Sequence, residues 1–243
     1  MRRAGSGAQD GASGMTPTGH PLDRPVWSAL ATRQRAVSLG DARALRFAPD
    51  YGIFAAAADD TPASQAALGA LAPAQGPLAL VETAPSPAAP GTIIASQAVI
   101  WQMLAEEISA APAPDFAIVP LGEADAVQML ALATLTRPGP FFARTHQLGD
   151  FVGVKRGGQL VAMAGERMKP EGFTEVSGVC THPDHRGCGY AGALMRVVAG
   201  HILARGDAPF LHSYADNTGA IGLYRSLGFR LRREMTMTAL IRA

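Results

Sequence analysis

The chemistry-bearing residues of this chain concentrate in one stretch, Val179-Cys180-Thr181-His182-Pro183-Asp184-His185-Arg186-Gly187-Cys188-Gly189-Tyr190-Ala191-Gly192. A strand-like run leads into a loop carrying one arginine and several glycines, and the loop opens directly into a helical pattern. Glycines let a backbone approach a ligand closely and adopt dihedrals denied to other residues. The first amides of the following helix have no intrahelical acceptor, and the helix dipole favours negative charge there. Arg186 adds a planar guanidinium suited to phosphate oxygens. Together these residues predict an anion site, with a pyrophosphate as the best fit.

Two better-known phosphate turns are excluded by context. A P-loop needs Gly-Lys-Ser/Thr, which does not follow here. Gly187-Cys188-Gly189-Tyr190-Ala191-Gly192 fits the string of a dinucleotide fingerprint, but that fingerprint belongs to the first strand of a parallel βαβ unit. The elements ahead of this turn read as successive strands joined by a hairpin. Cys180, His182, His185 and Cys188 are all competent zinc ligands, yet they crowd into nine positions, whereas structural zinc sites split their pairs across a longer loop. No metal is expected.

A second block, Asn217-Thr218-Gly219-Ala220-Ile221-Gly222-Leu223-Tyr224-Arg225-Ser226-Leu227-Gly228-Phe229, lies further on. Arg186-Gly187-Cys188-Gly189-Tyr190-Ala191 resembles the Arg/Gln-x-x-Gly-x-Gly/Ala signature of the GCN5-related N-acetyltransferase (GNAT) superfamily. The second block is similar to that superfamily's Asn-x-x-Ala-x-x-Leu-Tyr-x-x-x-Gly-Phe pattern, and the style is that of its FR47-like branch. The resemblance covers residues 115–243. It implies a mixed, mostly antiparallel α/β sheet flanked by helices, with acetyl-CoA or another acyl-CoA as co-substrate and an amine as acceptor. It further implies pyrophosphate contacts from Arg186 and the backbone of Gly187, Gly189, Tyr190, Ala191 and Gly192. The pantetheine arm would add to the strand edge at Val179 and Thr181, and an amide near Cys180 would polarise the thioester carbonyl.

Acyl transfer also needs protons moved. Tyr224 matches the position expected to protonate the departing thiolate, since a phenol of pKa about 10 suits a thiolate better than it suits a base at neutral pH. Glu175 sits on the strand before the turn, on one face with Ser177, Val179 and Thr181 if side chains alternate. It reads either as the general base or as an exposed strand-end carboxylate, and the residues leave both open. Asn217 reads as the N-cap of the last helix, and the resemblance adds a coenzyme contact. Arg225 reads as a solvated helix-face residue. A non-catalytic acyl-CoA sensor would keep the glycine turn but have no need of Tyr224 or Glu175.

Around these residues the pattern predicts β-α-β-β-β-α-β-α-β: strands at 116–119, 151–155, 160–166, 173–181, 209–214 and 231–241, and helices at 123–135, 190–203 and 217–227. The first of these helices has an apolar stripe through Val127, Leu130 and Ala131. Arg156-Gly157-Gly158-Gln159 reads as a hairpin turn. Residues 1–20 read as a disordered leader, with Met15 as a candidate start. Residues 21–112 read as an α/β region of unassigned function, with a degenerate copy of the second half as the alternative. It has strands near 44–47, 53–58 and 78–82, a helix capped by Thr61, and helical spacing from Val99 to Ile108. Ala110-Ala111-Pro112-Ala113-Pro114 reads as a linker, leaving 113–243 as the acyltransferase domain. The whole chain of 243 residues carries a formal net charge of +1 and two cysteines. That balance gives no reason to expect nucleic acid or an anionic membrane as partner, and two cysteines do not make a disulfide framework. A cytoplasmic monomer or homodimer acting on a small amine, amino-acid-like in the FR47 style, is the expectation; the amine itself is not legible.

Overall fold

A computed structural model describes residues 19–243. The leader expected at 1–20, with the candidate start at Met15, lies outside the described residues apart from its last two. Along the chain come α1 (Pro25–Ala31), β1 (Ser38–Gly40), β2 (Ala44–Phe47), β3 (Ala55–Ala57), α2 (Pro62–Ala70), β4 (Leu78–Glu82) and β5 (Thr92–Leu104). Then follow β6 (Val119–Leu121), α3 (Ala126–Thr136), β7 (Phe151–Arg156), β8 (Gln159–Glu166), β9 (Phe173–Thr181), α4 (Tyr190–Ala204), β10 (Ala208–Tyr214), α5 (Thr218–Leu227) and β11 (Arg230–Arg242).

Local chemistry explains several of these boundaries. Thr61 Oγ1 accepts from the Ser64 amide at 3.3 Å and starts α2, with Pro62 at the first helical position. Asn217 Oδ1 does the same for Ala220 ahead of α5. Gly157 and Gly158, with φ of 56° and 80°, make the tight turn between β7 and β8, where both central residues need positive φ.

Eight strands form one mixed sheet in the order β4-β11-β5-β10-β9-β8-β7-β6, and only β9 and β10 run parallel. Strands β1, β2 and β3 form a small second sheet. The β4 and β5 strands precede the Ala110–Pro114 stretch, and β5 lies between β10 and β11, which follow it. That stretch therefore connects two parts of one sheet. On one face α4 and α5 cover a core that includes Met103, Val176, Leu194, Leu211 and Phe229. On the other, α3 packs over Phe151, Met163 and Cys180, while α1 and the small sheet pack over Ile100, Phe210 and Met235.

Three expectations are corrected. The helical spacing expected at Val99–Ile108 falls on β5 as far as Leu104, where the strand is bonded to β10 on one side and β11 on the other, and no helix forms from there to Ile108. Ile100 faces the small-sheet core and Met103 the α4–α5 core. From Ile100 to Leu104 the strand packs against a core on each face, so polar and apolar residues do not alternate and the apolar spacing imitates a helix. The α3 stripe is Met129, Leu132 and Ala133, whereas Val127 is 82% exposed. This helix is apolar nearly all round, so periodicity could not choose its buried side. The strand expected at 116–119 is Val119–Leu121, held by pairing with β7.

One irregularity shapes the site. Met163 pairs with Cys180, but Gly165 pairs with Ser177, so β9 carries an extra residue. Gly178, with φ of 64°, absorbs it as a β-bulge. As a result Val176 and Val179, three apart, both face the α4 core, while Cys180 faces α3. The single face expected for Glu175, Ser177, Val179 and Thr181 is thereby broken.

Candidate active site

Strands β9 and β10 pair only through Phe173–Glu175 against Ala208–Phe210. Beyond Glu175 they part, and the upper edge of β9 is left without β10. A cavity of about 230 Å³ lies there, lined by Val179, Cys180 and Thr181 of β9, Arg186 of the glycine turn and Ala191 of α4. Ala220, Leu223 and Tyr224 of α5 and Thr136 and Pro138 at the end of α3 complete it. Six residues expected from the sequence thus meet around one space: Val179, Cys180, Thr181, Arg186, Ala191 and Tyr224.

The turn has the expected form. Pro183–His185 makes one tight 3-10 turn, and Arg186 follows in an extended conformation. Gly187 and Gly189 have φ of 78° and 76°, and nothing stands where a Cβ would sit on either. Conformation, not crowding, demands glycine at both. The first α4 bond runs from the Ala193 amide to the Gly189 carbonyl, so the amides of Tyr190, Ala191 and Gly192 precede the helical ladder. A Gly189→Ala substitution is expected to cost about 1 kcal/mol of stability through left-handed strain. Thermal unfolding would measure it, and an unchanged melting temperature would count against that backbone requirement.

The remaining expected residues do not line the cavity. The Tyr190 side chain is buried, its hydroxyl accepting from Arg156 Nε at 2.9 Å and its ring edge-on to Phe116 at 4.7 Å. A Cβ on Gly192 would lie 3.4 Å from Leu223, so this glycine admits close packing of α5 against α4. Asn217 caps α5. The Arg225 guanidinium stacks 5.4 Å above Trp101.

Tyr224 is half-buried, and burial raises its phenol above the ordinary value of 10. It therefore stays protonated at neutral pH. Cys180 is buried, and desolvation pushes its thiol up to about 11, which removes the thiolate a nucleophile needs. Among the described residues no three His, Cys, Asp or Glu side chains come together as a metal-ligand set. Cys180 is buried while Cys188 is exposed.

Glu175 departs from the sequence reading most clearly. It is fully buried, not an exposed strand end, and its position on the edge of the fork keeps it out of the cavity lining. Arg167 forks onto it, Nε to Oε2 and Nη2 to Oε1, both at 2.8 Å. His212 Nδ1 lies 2.9 Å from Oε1. Desolvation alone would raise this carboxyl, but the charge and hydrogen bonds of Arg167, with a further bond from His212, overcome it and hold the pKa at about 2.

The bonds continue beyond His212. The Gln102 amide nitrogen lies 3.2 Å from His212 Nε2 and donates to the Leu22 carbonyl at 2.8 Å. Gln102 Oε1 accepts from Arg232 at 2.9 Å, and Arg232 donates to Asp23 at 2.7 Å. The Leu22 carbonyl needs a donor and Arg232 needs an acceptor, which fixes the orientation of the Gln102 amide. His212 Nε2 is then an acceptor and Nδ1–H a donor to Glu175. Sequence reasoning missed Arg167, Gln102, His212 and Arg232. The available signal was a large polar residue at an apolar run, Gln102 within Val99–Leu104 and His212 directly after Pro209–Leu211.

A forked, mostly antiparallel sheet with a glycine turn and a tyrosine-bearing helix at its opening defines the acetyltransferase class of α/β fold. The FR47-like protein family model matches residues 151–238, which hold the hairpin, the turn and α5. A GNAT-family protein of Novosphingobium aromaticivorans DSM 12444 is 46% identical, with a TM-score of 0.82 over 93% of this chain and 100% of that one. The chain belongs to the GNAT family of acetyltransferases. A GCN5-related N-acetyltransferase from Kribbella flavida shares the fold at 20% identity, with a TM-score of 0.57 over 88% of this chain and 95% of that one. No curated protein matches the chain. No helix of the described residues is long and apolar enough to cross a membrane.

Proposed function

We propose that this protein transfers an acetyl or other short acyl group from acyl-CoA to a primary amine by direct attack within a ternary complex. The observation that carries the reading is the cavity at the fork, where the glycine turn, the free edge of β9 and Tyr224 converge. The coenzyme's pyrophosphate sits on Arg186 and the amides of Gly187, Gly189, Tyr190, Ala191 and Gly192. Its pantetheine arm runs along Val179–Thr181 as an added strand. An amide near Cys180 then faces the thioester oxygen and stabilises the charge that develops there as the amine attacks. The carbon–sulfur bond breaks, the Tyr224 hydroxyl gives its proton to the leaving thiolate, and the proton that the nitrogen sheds on becoming an amide returns to Tyr224 through solvent.

Glu175 is bonded through both oxygens, so an acceptor that attacks in its own neutral form suits this arrangement. An α-amine of pKa about 7.8 meets that requirement near neutral pH, and an alkylamine of about 10.4 does not. For an α-amine acceptor, the rate should rise with pH along the titration of the amine, and Glu175→Gln should leave that profile in place. A profile that loses its limb in the variant would return the base role to Glu175.

Incubation with radiolabelled acetyl-CoA and a panel of amino acids, polyamines and aminated antibiotics tests the transfer. Labelled N-acetyl product is the expected result. CoA binding without transfer to any amine would favour a sensor instead.

A further inference from the structure

The sheet opens at a rung whose two strands are tied by side chains as well as by backbone. Glu175 and Phe210 form the last paired positions of β9 and β10. His212 lies two residues further along β10, on the diverging part, and reaches back to the Glu175 carboxylate at 2.9 Å. Its other ring nitrogen meets Gln102 of β5, the partner strand of β10 on its far side, at 3.2 Å. Gln102 is itself tied to Leu22 and, through Arg232, to Asp23. Arg167 anchors the carboxylate from the β8 side, with its guanidinium 4.6 Å above the Phe54 ring. Glu175 and Gln102 are fully buried, and the His212 side chain is 7% exposed. Buried networks in which every member is satisfied hold one geometry rigidly.

We propose that His212 is a positioning residue for acyl transfer: by pinning Glu175 of β9 to Gln102 of β5 across the fork, it sets the width of the opening that receives the acyl thioester. This rests on the acyl-CoA reading above. It gives the segment at Leu22–Asp23 a part in the reaction, because that segment holds the far end of the pin. Widening the fork separates the β9 edge, which holds the pantetheine, from α5, which carries Tyr224. Both the binding of acyl-CoA and the transfer step then suffer, while the acceptor side is less affected.

The test uses two substitutions that keep different halves of the imidazole. In His212→Asn the amide nitrogen falls near the Nδ1 position and can still donate to Glu175. In His212→Gln a polar atom falls near the Nε2 position, and the bond to Glu175 is lost. Steady-state kinetics on the full chain should show KM for acetyl-CoA raised about tenfold or more in His212→Gln, which loses the bond to Glu175, and raised about threefold in His212→Asn, which keeps that bond and loses only the one to Gln102. KM for the acceptor should move less than about threefold in either. A purely structural histidine would lower the melting temperature in both variants and leave the two KM values unsplit, and that result would overturn the proposal. If His212→Gln does not fold, Gln102→Leu, which cuts the far end of the pin, is read instead. A raised acetyl-CoA KM there supports the pin and an unchanged one refutes it. Calorimetric titration of wild type with CoA separates the two levels. No binding by wild type sinks the acyl-CoA reading itself, whereas equal binding by wild type and His212→Gln sinks only the pin.

Discussion

Tyr224→Phe is expected to lower kcat by about 10²–10³-fold and to leave the Kd for CoA within about threefold of wild type. The hydroxyl is the only group removed, and the ring keeps its place against Phe229, 6.5 Å away between centroids. The size of the loss follows from the leaving group. A thiolate expelled without a proton donor must depart as a charged species into a half-buried site, where desolvation already disfavours the charged form of Tyr224 itself. The defect should shrink with an acyl thioester whose thiol is more acidic, since a better leaving group needs less protonation. Stopped-flow detection of the released thiol measures both effects. Wild-type turnover in the variant would remove Tyr224 from the mechanism and leave it as a wall of the cavity.

Arg167→Met is expected to destabilise the fold by about 3–5 kcal/mol at neutral pH, because it leaves a buried carboxylate without its main partner. The sign of the pH dependence follows from Glu175. Its folded pKa of about 2 lies below the ordinary 4.5, so its contribution is present above pH 4.5 and lost as pH falls toward 2. In the variant, desolvation of Glu175 is opposed only by His212 and by a long bond from the Met168 amide, and the carboxyl moves upward. The stability gap between wild type and variant should therefore narrow steadily from pH 5 to pH 2. Urea unfolding across that range gives the gap directly. A gap that stays constant down to pH 2 would show that Glu175 does not carry its charge into the folded state.

The site was legible where chemistry is local. The Arg186–Gly192 turn needs glycines at fixed offsets and a helix directly after them, and the Asn217–Phe229 block needs a cap, an apolar stripe and a C-terminal glycine. Such requirements act over a few residues and show in the order of types. Gly178 hides in the sequence because a bulge is defined by the partner strand, and β8 does not announce which residue it will skip. The role of Glu175 is hidden for a related reason. Its side-chain partners, Arg167 and His212, lie on the loop after β8 and on β10, and their meeting depends on tertiary packing. The place of β5 was least legible of all. Its Ile100–Leu104 part meets a core on both faces and carries no alternation, and nothing local tells the strand to insert between β10 and β11, more than a hundred residues later.

The central claim is that the arginine-and-glycine turn holds a diphosphate. Isothermal titration calorimetry of the wild-type chain with CoA, and separately with pantetheine, tests it most directly, because pantetheine keeps the thiol arm and lacks the diphosphate. Saturable CoA binding is predicted, with pantetheine weaker by about a hundredfold or more and CoA binding weakened by Arg186→Ala. No heat with CoA, or equal affinity for CoA and pantetheine, would contradict the account.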